Sequence, residues 1–277
     1  MSERNMIVVT GATGNVGKPL VEALVAAGKE VTAVSRRDGA VPAGVRHVRA
    51  DLVDPRSLIP ALDGADSVFL LTSADFMAAG DLDKVVEVLR DNGIRRVVLQ
   101  SSQGVGTGRH APGLEEAVTR SGLEWTILQP GGFDSNALQW ADAVRTHRTV
   151  TAPFGDVTLP TIDPADIAEV AAVVLREDGH AGKTYVLTGP APISPRQQAA
   201  AIGEVLGEPV RFVEQTHAEA KEVMLRFMPE VIVDNTLGAL GTPSPGEQQV
   251  NPAVADLLGR QAHTFAEWAA RNIAAFK

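Results

Sequence analysis

Residues 6–20, MIVVTGATGNVGKPL, decide the fold. Ile7, Val8 and Val9 are apolar and β-branched, the composition of a strand covered on both faces. Gly11, Gly14 and Gly17 follow in the pattern G-x-x-G-x-x-G, and a helix is expected to open near Asn15 and Val16. Glycines at these points let the chain turn tightly and let its backbone approach a pyrophosphate. The helix would aim its free N–H groups and its dipole at that anion. A glycine triplet alone is a weak signal, but between a strand and a helix it predicts a dinucleotide site. The competing reading is an ordinary strand–helix turn that uses glycine for packing.

Outward from this stretch the first half alternates helix and strand patterns. A helix is expected over 16–27, ending at Gly28, then strands over 30–35, 46–50, 67–71, 95–100 and 124–129. Helices over 55–62, 82–92 and 113–121 fall between them. This alternation predicts an α/β fold, a doubly wound parallel-sheet Rossmann domain. After Pro130, Gly131 and Gly132 the pattern changes. Helices are expected over 133–144, 163–176, 194–206, 217–228, 230–240 and 264–275, with strands over 184–187 and 210–213 and small strands within 149–160. Asp163 is expected to cap its helix. The expected division is a dinucleotide-binding domain over 1–190 and a smaller, mostly helical C-terminal lobe over 191–277, which also takes in part of 133–160.

The totals narrow the function classes. The chain has 277 residues, 44% of them hydrophobic, which is globular composition. It has no cysteine, so disulfides and thiolate metal sites are excluded, and a reducing cytoplasm fits. A formal net charge of −9 argues against a nucleic-acid-binding surface. The start MSERNMIVV lacks an apolar signal core, and no run of about 18 apolar residues predicts a membrane span. His47, His147, His180, His217 and His263 lack metal-ligand spacing, so no metal is expected.

In an open parallel sheet the ligand binds outside the carboxyl ends of the strands. The second strand ends in Ser35, Arg36 and Arg37, where an NAD site usually places a carboxylate. Two guanidinium groups suit a 2′-phosphate instead, so NADP(H) is expected over NAD(H). Asp38 dissents, since it would serve a ribose if the loop folded differently. Asp51 and Leu52 end the third strand; Asp51 would accept from the adenine amino group or cap a short turn. Leu71, Thr72 and Ser73 should pass under the ribose and pyrophosphate. Ser101 and Ser102 should face the nicotinamide end, as should Pro130 and Phe133.

TGATGNVG, SRR after the second strand, DL after the third, SS after the fifth, SGLEWTILQPGGF around the sixth, IDPADIAEVAA and LTGP-x-x-x-S together resemble the NmrA-like branch of the atypical short-chain dehydrogenase/reductase superfamily. The resemblance runs over nearly the whole chain. It implies cofactor contacts at Gly11, Thr13, Gly14, Asn15, Val16, Arg36, Arg37, Asp51, Leu52, Thr72 and Ser73. Members of the branch include quinone reductases, other NADPH-dependent reductases, and redox-sensing regulators that bind NADP without evident turnover. The wider superfamily pairs a serine with a Tyr-x-x-x-Lys dyad, yet between Ser102 and Pro130 there is neither tyrosine nor lysine, and the single tyrosine is Tyr185. Ketone reduction by the superfamily mechanism is therefore not expected.

Hydride transfer to a quinone needs less acid help, because the product oxyanion is a stabilised phenolate. His110 and Ser102 are the catalytic candidates, weighed against a surface histidine and a strand-end cap. Ser101 competes with Ser102 for a substrate oxygen. Glu115 and Glu116 are expected to serve the dipole of their helix. Phe133, Trp140 and Phe154 would line an apolar pocket or sit in a core. Two classes of function follow: an NADPH-dependent oxidoreductase for a small acceptor such as a quinone, and an NADP(H) redox sensor that regulates a protein partner. An isomerase or dehydratase using bound NADP is a weaker third.

Overall fold

The computed structural model of the chain describes residues 6–277. Nine strands run in chain order as β1 (Met6–Thr10), β2 (Glu30–Ser35), β3 (Arg46–Arg49), β4 (Ala65–Leu71), β5 (Arg96–Gln100), β6 (Glu124–Pro130), β7 (Thr149–Pro153), β8 (Lys183–Leu187) and β9 (Arg211–Gln215) among the described residues. Seven of them form one sheet in the order β3-β2-β1-β4-β5-β6-β8, with every neighbouring pair parallel. Strand order reverses at β1, with β2 on one side and β4 on the other. This creates the crevice outside the carboxyl ends where such sheets bind ligands.

Two compact units share the chain. One comprises the described residues up to Pro130 together with Pro164–Leu187 and Ala253–Gly259, and it contains the large sheet. Its inner strands are buried on both faces, as a parallel sheet requires. Val8, Val68, Leu70, Val97 and Leu99 point into a core with Leu58, Leu62, Val85, Leu89 and Val118. These come from Pro55–Leu58, Ile59–Leu62, Leu82–Asp91 and Gly113–Thr119. The alternate residues Val9, Phe69 and Val98 are equally buried and face the other side. There the helices Gly17–Ala26 and Pro164–Arg176 pack on one another, and Ala253–Leu258 packs on the second of them.

The other unit comprises Gly131–Asp163, Thr188–Pro252 and Arg260–Lys277. It is mostly helical, with β7 and β9 as a small parallel pair. Trp140, Val144, Val150, Ile202, Phe265, Trp268 and Phe276 form its core. Trp140 is thus a packing residue, and Phe154 packs on a second cluster formed by Ala220, Val233 and Leu237.

Some local structure departs from the sequence pattern. The stretch 133–144 is a 3-10 segment, Asp134–Trp140, followed by the helix Ala141–His147. Phe133 is held extended by a bridge to Ile162, and the Asp134 N–H donates to the Ile162 carbonyl at 2.9 Å, so a regular helix cannot begin there. Ala74–Ala79 is a helix that hydrophobic periodicity does not announce; the Ser73 hydroxyl accepts the Phe76 N–H at 3.2 Å and starts it. The Asp163 carboxylate forms an ion pair with Arg271 and lies 3.9 Å from His263. No helix among the described residues is long and apolar enough to cross a membrane.

Candidate dinucleotide site

The Thr10 hydroxyl fixes the end of β1 to the end of β4. It donates to the Phe69 carbonyl at 3.0 Å and accepts the Leu71 N–H at 2.8 Å. The chain then turns: the Ala12 N–H reaches back to the Val34 carbonyl at 3.0 Å, and the Gly14 N–H to the Gly11 carbonyl at 2.9 Å. Gly11 has φ +64°, and a Cβ there would lie 2.8 Å from Leu71 Cδ2. A Cβ on Gly17 would lie 2.1 Å from the Gly11 carbonyl oxygen. Both positions admit only glycine without rearrangement. Val16 precedes the helix Gly17–Ala26 and caps it with no side-chain bond.

This turn forms the floor of a groove of about 210 Å³ at the switch point. Gly11, Thr13 and Gly14 line it from the turn, Arg36 from the end of β2, Asp51 and Leu52 from the end of β3, and Leu71, Thr72 and Ser73 from the end of β4. Thr10, Val34, Ser35 and Ala50 complete the lining. The sequence assigns no cofactor role to those four, although Thr10 and Ser35 stand in the TGATGNVG and SRR patterns and places at strand ends are the signal that finds them. Glycine walls and apolar strand-end side chains leave room for an extended nucleotide, and Arg36 supplies a cation at the rim. The residues present therefore fit a dinucleotide.

Other residues singled out lie off the groove lining. Asn15 is exposed, and Val16 is buried beside the turn. Arg37 is exposed, and its guanidinium carries no partner among the described residues. Its carbonyl accepts the Ser35 hydroxyl proton at 2.6 Å. His47 Nε2 lies 2.7 Å from the same hydroxyl oxygen, so it is the protonated nitrogen of that ring. Asp38 lies 4.0 Å from Arg49. The Asp51 carboxylate accepts the Val53 N–H at 3.0 Å, so it caps a turn while also lining the groove. Pro130 is the buried last residue of β6, and Phe133 belongs to the other unit.

A second polar cluster sits past the ends of β5 and β6. Ser101 Oγ donates to Glu115 Oε1 at 2.5 Å, and Gln129 Nε2 donates to the same oxygen at 2.9 Å. Ser102 Oγ accepts the Gly104 N–H at 3.1 Å and lies 3.1 Å from His110 Nδ1. The imidazole lies against the Gly104 α-carbon, where a Cβ would come within 2.5 Å of Nδ1. The Ser101 proton is committed to Glu115, which leaves its oxygen as an acceptor. Ser102 Oγ keeps a second lone pair and its own proton after accepting from Gly104, so it can donate to His110 Nδ1 or accept from it according to the ring's tautomer, and the imidazole lies on an exposed residue. Ser102 and His110 are thus brought together. Glu115 and Gln129 join the cluster although the helix-dipole reading gave Glu115 no such part. No group of three or more His, Cys, Asp or Glu side chains among the described residues is arranged to hold a metal ion.

Comparison with known proteins agrees with this geometry. A family model described as NAD(P)H-binding matches residues 11–178. The chain is 34% identical to a (4-alkanoyl-5-oxo-2,5-dihydrofuran-3-yl)methyl phosphate reductase of Streptomyces griseus, over 98% of this chain and 99% of that protein. It is 35% identical to an NAD(P)H azoreductase of Xenophilus azovorans, again over 98% and 99%. Its fold matches an NADPH-dependent quinone oxidoreductase of Escherichia coli, solved with NADPH, at a TM-score of 0.80 and 24% identity, covering 96% and 99% of the two chains. The chain therefore belongs to the NAD(P)H-binding family.

Proposed function

We propose that this protein is an NADPH-dependent reductase that delivers hydride to a quinone or a similar small conjugated acceptor. The groove built on the glycine turn, with Arg36 at its rim, carries the proposal. The relatives named as reductases support it. The turn at Gly11, Thr13 and Gly14, with Asn15 and Val16 at the helix entrance, would cradle the pyrophosphate. Asp51 and Leu52 would meet the adenine, Leu71, Thr72 and Ser73 the ribose, and Arg36 and Arg37 the 2′-phosphate, which selects NADP(H) over NAD(H). Ser101, held as an acceptor, suits the carboxamide N–H₂ of a nicotinamide, with Pro130 assigned to the same end, as the sequence reading also has Phe133.

When bound, NADPH supplies the hydride. Reducing a quinone to a hydroquinone takes one hydride and one proton. With both ring nitrogens protonated, His110 would donate its Nδ1 proton in a hydrogen bond to Ser102 Oγ, which fixes the ring, and give its Nε2 proton to the product oxygen, regaining one from water. A phenolate product makes this modest acid sufficient without a Tyr-x-x-x-Lys dyad. We assign acceptor selection to the C-terminal lobe, 191–277 with part of 133–160. The cysteine-free chain fits a reducing compartment, so we assign the activity to the cytoplasm.

NADPH oxidation measured against a panel of quinones and azo compounds tests the proposal. Turnover with a quinone, faster with NADPH than with NADH, is the expected result. Tight NADPH binding with no turnover on any acceptor would overturn it. The NADP(H)-sensor reading would then stand, to be checked with a protein partner whose binding differs between NADP⁺ and NADPH.

A further inference from the structure

Arg36, the cation that lines the groove, is already occupied. It follows β2, and its guanidinium pairs with the carboxylate of Asp75, four residues beyond the end of β4. β2 and β4 are the two neighbours of β1, so this ion pair runs between the strand ends on either side of the glycine turn. Both side chains are well exposed, at 47% and 71%. The nearby charges are otherwise placed: Asp38 lies toward Arg49, Asp51 caps its own turn, and Arg37 stands without a partner among the described residues.

We infer that Asp75 is a specificity-determining residue that competes with the cofactor's 2′-phosphate for Arg36. A carboxylate on a guanidinium offers the same two-point acceptor geometry as a phosphate. The pair is made between Arg36 Nη1 and Asp75 Oδ2, so a 2′-phosphate that takes the same N–H groups displaces Asp75, whereas NAD(H), which has no 2′-phosphate, gains nothing from the exchange. Asp75 also places a negative charge beside the incoming dianion. The pair thus lowers the preference for NADP(H) below what two free arginines would give. The fully available contact is Arg37, and Arg36 contributes only the difference between phosphate and carboxylate. An exposed ion pair is weak, so the effect is a tuning of about two- to fivefold.

The inference rests on the NADP(H) reading above, and binding measurements separate the two. Calorimetric titration of the full-length protein with NADPH, NADH and 2′,5′-ADP needs no acceptor substrate. Asp75→Asn and Asp75→Ser should each tighten NADPH and 2′,5′-ADP by about two- to fivefold at low salt, leave NADH unchanged, and lose the gain at high salt. Asp75→Glu should restore the wild-type values. In an Arg36→Ala background the Asp75 substitutions should have no effect. An unchanged NADPH-to-NADH ratio in both Asp75 variants, or a selective weakening of NADPH, overturns the inference while leaving the arginine reading intact. If Arg36→Ala together with Arg37→Ala leaves the ratio untouched, the arginine reading itself fails and takes this inference with it.

Discussion

The two polar regions at the carboxyl edge of the sheet are built differently. Around β1, β2 and β4 the wall is backbone: glycines without room for a Cβ, a threonine that binds only main chain, and charges placed at the rim. Past β5 and β6 the structure is side chain on side chain, with Ser101, Glu115 and Gln129 sharing one oxygen and Ser102 set against His110. A backbone wall holds one shape for one kind of ligand, here an extended dinucleotide. A side-chain network can exchange protons and can be altered one residue at a time. The first region fixes the cofactor class, and the second leaves the reaction open to variation.

Adding one methyl group to each region breaks this comparison most directly. In Gly17→Ala the new Cβ meets a main-chain carbonyl at 2.1 Å, and the turn must move. We expect a loss of about 3 kcal/mol in urea unfolding, together with loss of NADPH binding. In Gly104→Ala the obstacle is the His110 ring, 2.5 Å away, which can swing aside. That variant should keep NADPH affinity and lose turnover. Equal loss of cofactor binding in both would end the distinction. Next in size, Arg37→Ala should weaken NADPH about tenfold, and adding Arg36→Ala should weaken it only about two- to threefold further, with NADH little changed in titration.

Within the second region, Glu115→Ala removes the acceptor of two donors, one of them on Gln129, which is 5% exposed. A stability loss of about 2 kcal/mol is expected in chemical unfolding, with Glu115→Gln closer to wild type. NADPH KM should rise as Ser101 is freed to turn its proton outward. His110→Ala should lower kcat about tenfold and change the pH profile of turnover, with NADPH KM unchanged. An unaltered kcat and profile would assign the proton to water.

The difference between the regions also explains what could be read from the sequence. The glycine turn is local: strand, turn and helix lie within 15 residues of one another, and Arg36 and Arg37 follow directly on a strand, so pattern and position suffice. The sheet was legible for the same reason, because β-branched runs and capped helices alternate at short spacing. Asp75 lies 39 residues from Arg36 in sequence, and the six-residue helix that presents it is too short to show a period. Glu115 lies 14 residues from both Ser101 and Gln129, and only the pairing of β5 with β6 brings the three together. On its own helix a first-turn glutamate is fully explained by the dipole, so nothing local points to a second use.

The smallest effect separates two histidines of the same unit. His180 Nδ1 lies 2.8 Å from the Tyr185 hydroxyl, and burial, followed by the nearby Lys183 charge, lowers its pKa below that of a free histidine; Glu177 opposes this and Arg96 adds to it. The unfolded chain, with an ordinary histidine near about 6.5, then binds the proton more readily than the folded one. Stability from this group is complete above that value, falls as the pH drops through it, and levels off below the folded pKa. The loss should be less than about 1 kcal/mol, since the ring is only partly buried. Carboxylates such as Asp178, held low by its hydrogen bond to Arg96, act in a separate window below about pH 4. His180→Asn should flatten the unfolding free energy between pH 7 and about 5.5 while leaving turnover per folded molecule unchanged. His110→Ala should instead lower turnover. If His180→Asn alters the turnover profile, the proton assigned to the β5–β6 region would have to be placed elsewhere.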